Sequence, residues 1–181
     1  MRFIGLDPGK LGAVAWLDGT LENVGVQECP LLLKPPKPGK KNPRKEYDLG
    51  GMYRLLKRVA NGAGCVVTLE EVGAFRTDGR TRTFDFGTGY GAWLAIIAAV
   101  NVECGNLVLR LVPPRTWKSV MLAGVANDPK MEAKVLEARL HHHPVCSEFK
   151  GKFGGIHDGK VDALWLAEHG RSLYRFPGRL A

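Results

Sequence analysis

The sequence predicts an α/β fold with a mixed five-stranded sheet flanked by helices. Three short apolar segments separated by turn residues come first, which is typical of an antiparallel meander. Two further apolar strands then alternate with helical patterns, an arrangement typical of parallel strands. With 181 residues and a hydrophobic content of 45%, the chain is long enough to bury a core, and we expect a single domain spanning residues 1–181.

The composition indicates a basic protein without membrane or disulfide features. There are 26 Lys and Arg residues against 18 Asp and Glu, giving a net charge of +8, and such a surplus attracts phosphate polyanions or acidic membrane surfaces. The four cysteines form no C-x-x-C pair, so we expect reduced thiols in a cytoplasmic protein. The longest apolar run, Ala92 to Val100, is too short to span a bilayer, and no secretory leader begins the chain.

The first predicted strand ends on a carboxylate, Asp7. Pro8 and Gly9 cannot extend a central strand, and apolar residues resume from Ala13 to Leu17 as the second strand. A carboxylate at the end of a buried strand must be solvated, paired or bound to a metal, because leaving it charged among apolar groups costs several kcal/mol. The alternative is a turn residue that binds its own backbone.

A third strand is predicted from Leu21 to Gln27, after a turn at Asp18 and Gly19. Residues Lys34 to Lys45 then contain six basic residues, four prolines and a glycine, which predicts a surface loop rather than a packed element. The charge of this loop fits either a solvated face or an arm that follows phosphates, and both interpretations stay open.

A second strand also ends in acids. The helix predicted over Tyr47 to Ala60 is followed by the strand Cys65 to Leu69, which leads directly into Glu70 and Glu71. In an open α/β sheet, sites form at the carboxyl ends of the strands, so this second coincidence favours function over a stray surface acid.

The middle of the chain combines arginines with an apolar helix. Residues Gly73 to Thr83 carry Arg76, Arg80 and Arg82 and predict a mobile loop directly after the second carboxylate. From Phe84 to Val100 the pattern is helical and apolar nearly all round, so this helix is expected in the core or at a subunit interface.

The last third of the chain supplies one more strand and three helices. The strand Leu107 to Val112 ends before a short basic and aromatic helix that begins at Pro114. A helix over Pro129 to His142 follows. If a last helix begins at Asp158, then Asp162 lies one turn further on the same face, with the two Cβ atoms about 5–6 Å apart.

Two like charges at this spacing repel each other unless a cation lies between them, although Asp158 could instead be a helix cap favoured by the dipole. Together, Asp7, Glu70, Asp158 and Asp162 form the kind of tetrad that holds two hard divalent ions, and Mg²⁺ suits it best. Such a pair can activate a water beside a phosphodiester and stabilise the leaving oxygen. In a basic protein, this site predicts hydrolysis of nucleic acid.

Four motifs resemble those of RuvC-type Holliday junction resolvases, in the same order and across nearly the whole chain, and the bacteriophage-like branch is nearest. The motifs are Ile4 to Gly12, Leu69 to Val72, Pro114 to Lys118 and Asp158 to Leu164. The resemblance implies an RNase H-like fold and a homodimer that cleaves four-way DNA junctions symmetrically. It also implies two Mg²⁺ ions per active site, with Mn²⁺ as a substitute.

By that match, the four carboxylates Asp7, Glu70, Asp158 and Asp162 are metal ligands, and Lys118 lies beside the scissile phosphate. The expected DNA contacts are Arg76, Arg80, Arg82, Arg115 and Lys118. The helix Phe84 to Val100 is the expected dimer interface.

Two departures from the family pattern leave ligands open. Cellular resolvases usually place the penultimate acid three residues before the last, where this chain has Gly159, so His157 competes with Asp158 as a ligand. Glu71 likewise competes with Glu70, because a shift of one residue in strand register would exchange the faces on which they lie.

Other classes of protein explain fewer of these features. A phosphate-binding kinase of the actin and hexokinase type also begins with a strand, an acid and a glycine turn, but it needs two such domains. An RNase H-like nuclease acting on other branched DNA keeps the same site. A non-catalytic junction-binding protein would leave four acids unexplained in a basic chain.

Overall fold

The computed structural model of the protein describes residues 1–36, 38–39, 41–62, 64–71, 80–151 and 154–175. The strands in these ranges are β1 (Arg2–Leu6), β2 (Ala13–Asp18), β3 (Val24–Glu28), β4 (Leu31–Lys34), β5 (Arg44–Tyr47), β6 (Cys65–Glu70) and β7 (Leu107–Val112). The helices are α1 (Leu49–Ala60), α2 (Arg80–Cys104), α3 (Pro114–Met121), α4 (Pro129–Arg139) and α5 (Asp158–Arg175), with a 3-10 helix over Pro144–Phe149.

Five strands form one mixed sheet in the order β3-β2-β1-β6-β7. The first three pair antiparallel, whereas β6 pairs parallel to both β1 and β7. This topology confirms the predicted meander and the predicted parallel strands. Because Leu6 lies opposite Leu69 in the parallel pair β1–β6, both strands end at the same edge of the sheet. The acids that follow them in sequence are therefore brought side by side.

Helices cover both faces of the sheet and divide the core into two layers. Helices α1 and α2 pack on one face, and their core includes Trp93, Ile97 and Met52. Helices α3, α4 and α5 pack on the other, around Trp117 and Trp165. Apolar burial on both faces explains why β1 and β6 are nearly continuous hydrophobic runs.

Helix α5 lies unusually close to the sheet because a glycine faces it. A Cβ atom at Gly5 would lie only 1.9 Å from the Ala163 carbonyl oxygen and 2.4 Å from the Ala167 amide nitrogen. Any larger residue would push α5 away from β1. The acids carried by the start of this helix are thus held against the end of β1.

Two predicted boundaries are wrong. Strand β3 begins at Val24 rather than Leu21, because Leu21 has a positive φ of 66° and lies in a loop organised by Asp18, whose carboxylate accepts from the Glu22 amide. Helix α4 ends at Arg139 rather than His142, because His141 and His142 take left-handed backbone conformations.

The composition predicts a surface loop over Lys34 to Lys45, but the two ends of this segment belong to strands. Lys34 ends β4, while Arg44 and Lys45 begin β5, and the two strands pair antiparallel as a separate ribbon. The prolines lie between the strands, where no ladder hydrogen bond is needed from them. Sequence composition identified the connection correctly but missed its paired ends.

The predicted loop Gly73 to Thr83 is wrong at its end, because the backbone from Arg80 onward already belongs to α2. Arg76 and the rest of 72–79 lie outside the described residues. Helix α2 buries Trp93, Ile97 and Val100 against the sheet, whereas its opposite face is exposed. The helix is therefore not wholly internal in one chain.

The four cysteines all lie in the described ranges and none is in a disulfide; Cys29 and Cys65 are buried. In the described ranges, no helix is both long enough and apolar enough to cross a membrane.

Candidate active site

Asp7 follows β1 and lies on the face of the sheet that α5 covers. Alternation places Phe3, Gly5 and Asp7 on one side of the strand, and Gly5 contacts the backbone of α5. One carboxylate oxygen, Oδ1, accepts from the Gly9 amide at 3.1 Å, which is the turn bond of the alternative interpretation. Burial nevertheless raises the pKa of Asp7 to about 7, and the charges of Glu70 and Asp162 contribute to the rise.

The hairpin that carries Asp7 closes tightly around it. A Cβ atom at Gly12 would lie 2.2 Å from the Asp7 carbonyl oxygen and 2.8 Å from its carboxyl carbon. Only glycine leaves room for the carboxylate at this position. The Gly12 amide in turn donates to the Gly9 carbonyl at 2.9 Å, so the loop between β1 and β2 has a defined shape.

The structure separates the two neighbouring acids at the end of β6. Glu70 lies on the α5 side, and its Oε1 accepts from the Trp117 indole nitrogen at 2.9 Å. Burial raises the pKa of Glu70, while the Trp117 bond and the charge of Lys118 oppose the rise. Glu71 is exposed, and its charge adds to the burial that raises the pKa of Tyr90 on α2. Glu70 therefore faces Asp7, and Glu71 faces the other layer.

Helix α3 brings a cation to the acids. Lys118 Nζ lies 3.6 Å from Asp162 Oδ2 and 5.0 Å from the centre of the Trp117 ring. Burial raises the pKa of Asp162 to about 7, Lys118 opposes that rise, and Glu70 adds to it. Two adjacent residues of one helix thus contact two different carboxylates.

The start of α5 explains the departure from the resolvase spacing. A Cβ atom at Gly159 would lie 2.1 Å from the Leu11 carbonyl oxygen, so the position three residues before Asp162 cannot carry a carboxylate here. Asp158, one turn before Asp162, is exposed at the edge of the cleft that both residues line.

His157 points away from the other acids. Its Nδ1 accepts from the Lys160 amide at 3.3 Å, and its Nε2 lies 3.6 Å from Glu28 Oε1 on β3. One ring nitrogen therefore contacts the first turn of α5, and the other faces Glu28 on β3. This geometry favours Asp158 over His157 as the candidate ligand that accompanies Asp162.

Asp7, Glu70 and Asp162 interact through their charges, yet within the described ranges no three His, Cys, Asp or Glu side chains already have the spacing of a metal-binding cluster. Trp117 binds Glu70 and Lys118 pairs with Asp162 in this arrangement. The donor set suits a hard cation, because carboxylate oxygens are what Mg²⁺ prefers. Burial is the largest cause of the raised pKa values of Asp7 and Asp162, and the charge of Lys118 opposes the rise without cancelling it.

Asp7, Asp158 and Asp162 line an open cleft of about 560 Å³. Residues that the sequence interpretation did not single out complete its wall; these are Lys10, Leu11, Tyr47, Asp85 and Phe86. The third motif includes Trp117 but assigns it no role, although a buried indole N–H usually finds a hydrogen-bond acceptor. For Tyr47 the sequence carries no such signal, since it reads as the first residue of a helix.

The predicted DNA-contacting arginines are placed unequally. Arg115 is exposed at the first turn of α3, near Lys118. Arg80 and Arg82 belong to the first turn of α2, where only their backbone is described, and Arg76 lies outside the described residues.

The two adjacent glutamates permit a matched comparison. Glu70→Gln removes a charge beside Asp7, so we expect about 10²-fold or greater loss of metal-dependent DNA cleavage. Glu71→Gln makes the same chemical change on the other side of the strand and should cut at the unaltered rate. Nicking of labelled DNA measures both. A larger loss in Glu71→Gln would show that the register of β6 at this point is different.

Two solved structures are similar to this chain along nearly its whole length. One is T. thermophilus RuvC in complex with a Holliday junction substrate, with a TM-score of 0.61 and 16% identity, covering 98% of this chain and 96% of that chain. The other is a Thermus thermophilus RuvC structure, with a TM-score of 0.58, 15% identity and coverage of 98% and 97%. No protein-family model and no curated protein matches the sequence. The likeness shows a RuvC-like, RNase H-like fold.

Proposed function

We propose that this protein is an endonuclease of one domain, residues 1–181, that resolves four-way DNA junctions by symmetric phosphodiester hydrolysis. The observation that carries the proposal is that Asp7 and Asp162 line one cleft in a basic chain. Burial and the charge of Glu70 nearby raise the pKa of both carboxyls. The RuvC-like fold supports it, since one similar structure contains a Holliday junction substrate. The four motifs favour the bacteriophage-like branch.

Asp7, Glu70, Asp158 and Asp162 would hold the divalent cations, two Mg²⁺ with Mn²⁺ as a substitute. Bound divalent cations supply an activated water and stabilise the leaving oxygen of a phosphodiester. The residues of the chain orient these acids. The Trp117 indole fixes one oxygen of Glu70, so that the carboxylate is held before DNA arrives.

Lys118 would exchange its partner when DNA binds. It is paired with Asp162 at 3.6 Å and is partly exposed, so a phosphate entering the cleft can take the place of that carboxylate. A positive charge beside the reacting phosphate is most valuable as negative charge develops in the transition state. Arg115 on the same helix, with Arg76, Arg80 and Arg82 before and within α2, would contact the flanking phosphates.

A four-way junction has two equivalent strands to cut, whereas the described part of one chain has one such acidic cleft, so symmetric resolution requires two copies. The exposed face of α2 is the proposed interface. It presents small and apolar residues at helical spacing, namely Phe84, Gly87, Gly91, Ala95, Ala98, Ala99 and Val102. Phe84 is 75% exposed and Val102 is 88% exposed, and a continuous exposed apolar strip marks an interaction surface more than single exposed residues do.

Charged substitutions on this face should separate the two copies. We expect Ala98→Glu to change a dimer into a folded monomer at micromolar concentration, because two carboxylates would be buried in a two-fold contact. Sedimentation reports the mass, and circular dichroism confirms the fold. Glu103→Gln, which changes charge near the same helix end, is the control and should remain dimeric. A native protein that is monomeric both alone and on a junction would contradict the proposal.

The direct test of function is cleavage of a labelled four-way junction beside linear duplex and other branched DNA. We expect paired nicks on the junction with Mg²⁺ or Mn²⁺, and none with a chelator. Equal cutting of every branched substrate would indicate a general nuclease with the same site. Junction binding without cleavage under all metal conditions would indicate a non-catalytic binding protein.

A further inference from the structure

We propose that the β4–β5 ribbon is a DNA-binding arm that holds the duplex beside the cleft through its backbone phosphates. The inference rests on the proposed nuclease function and extends it to a surface that none of the four motifs includes. The ribbon consists of β4 and β5 alone, paired with each other and separate from the main sheet. Its described strands carry three cations, Lys34, Arg44 and Lys45, and one carboxylate, Glu46.

The base of the ribbon is fixed to the hairpin that carries Asp7. The Cys29 amide donates to the Gly12 carbonyl at 3.0 Å. The Tyr47 hydroxyl lies 3.3 Å from the Pro8 carbonyl oxygen and 3.1 Å from that of Asp85, and donates to either. The position of the ribbon is therefore set by the same loop that positions the first carboxylate.

Helix α2 leaves just enough room for this anchor. A Cβ atom at Gly89 would lie 2.3 Å from both the Pro8 carbonyl oxygen and the Tyr47 hydroxyl. Tyr47 thus packs where the ribbon, α2 and the loop after β1 meet. A surface loop with no role beyond solvation does not require such a fitted base.

The free end of the ribbon lies outside the protein core. Leu31 and Tyr47 lie opposite each other and pack against the core under α1 and α2. The next pair on the same face is Leu33 and Lys45, about 7 Å further along the strands. Tyr47 lines the cleft, whereas Leu33 is 69% exposed, so this face of the ribbon has left the protein core by the second pair.

The positive charges at the free end lie where they would bind an anion, although they do not stabilise the pairing of the two strands. Lys34 lies directly opposite Arg44 in the ladder, and like charges at such positions destabilise a two-stranded sheet. Arg44 has a partly exposed partner in Glu46 at 3.1 Å, whereas within the described ranges Lys34 and Lys45 have no ion-pair partner. A phosphate backbone lying along the ribbon would offset all three positive charges.

The matched test compares two triple variants that remove the same charge. The ribbon variant combines Lys34→Gln, Arg44→Gln and Lys45→Gln. The control variant combines Lys130→Gln, Lys134→Gln and Lys150→Gln, three lysines around a separate surface cleft. With a chelator present, we expect the ribbon variant to bind a four-way junction about tenfold or more weakly at 0.1 M salt. Its salt slope should fall by up to about 0.9 per lost contact. The control should change much less.

A second measurement locates the contact without removing any charge. A benzoyl-phenylalanine photo-crosslinker replaces Leu33, and its products are mapped on each labelled strand. We expect crosslinks to the duplex flanking the cut site. Equal loss of junction affinity in both triple variants would overturn the proposal that the ribbon is a DNA-binding arm. So would the absence of a DNA crosslink from position 33 in a protein that binds with wild-type affinity. Absence of DNA binding and cleavage by the wild-type protein would instead overturn the proposed function.

Discussion

Replacing Asp7 with Asn is expected to lower the rate of junction cleavage by about 10³-fold or more while leaving junction affinity unchanged or higher. The loss of one ligand charge is worth several kcal/mol in the transition state, and each 1.36 kcal/mol corresponds to a factor of ten. Affinity should not fall, because a negative charge near the DNA polyanion has been removed. Asp162→Asn should behave in the same way.

Single-turnover nicking with Mg²⁺ measures the rate, and gel-shift binding in a chelator measures the affinity. Asp128→Asn is the matched control, because it makes the same chemical change at the N-cap of α4, where Asn caps as well as Asp. It should cut normally. Normal cleavage by Asp162→Asn with Mg²⁺ would show that the acids are assigned wrongly.

The stability of the metal-free protein should fall as pH rises from about 4 to 8. Burial and neighbouring carboxylates raise the pKa of both Asp7 and Asp162 to about 7, from the value of 3.8 expected in an unfolded chain. Below pH 4 both states hold these protons, so the two acids add no pH dependence. Between the two pKa values the unfolded chain has released protons that the folded protein retains. The free energy of unfolding therefore falls as pH rises through this range.

Each group contributes at most about 4 kcal/mol, since one pKa unit corresponds to about 1.4 kcal/mol. We expect a combined loss of several kcal/mol, because the two acids influence each other. Urea unfolding across this pH range, in a chelator, measures it for the wild type and for the double variant Asp7→Asn, Asp162→Asn. The double variant should show a flatter curve and be the more stable protein at pH 8.

Addition of Mg²⁺ at pH 8 should restore stability to the wild type, since an ion bound to the folded state alone stabilises it by mass action. The double variant lacks two of the charges and should gain much less. Parallel pH curves for the two proteins would mean that Asp7 and Asp162 have the same pKa values in the folded and unfolded states, and that burial does not raise them.

The sequence by itself determined the strands of the main sheet, the mixed pairing and the acids at the ends of β1 and β6. These features depend on local properties that can be read along the chain. Apolar runs of strand length ended at Asp7 and Glu70, and helical periodicity put Asp158 and Asp162 one turn apart. The paired ends of the β4–β5 ribbon were missed because lysines and prolines dominate the composition there, whereas Leu31 and Tyr47 decide the packing.

Only the tertiary structure decided which of the competing acids face the cleft. Alternation along β6 allows either Glu70 or Glu71 to point inward, and the choice depends on register against β1, which no local pattern specifies. The absence of an acid three residues before Asp162 follows from Gly159, which must be small because α5 packs against the Leu11 carbonyl. The preference for Asp158 over His157 follows from the contacts of the imidazole with the Lys160 amide and Glu28. Such contacts join residues far apart in the sequence, so they follow from how the strands and layers pack and not from the residues near each acid.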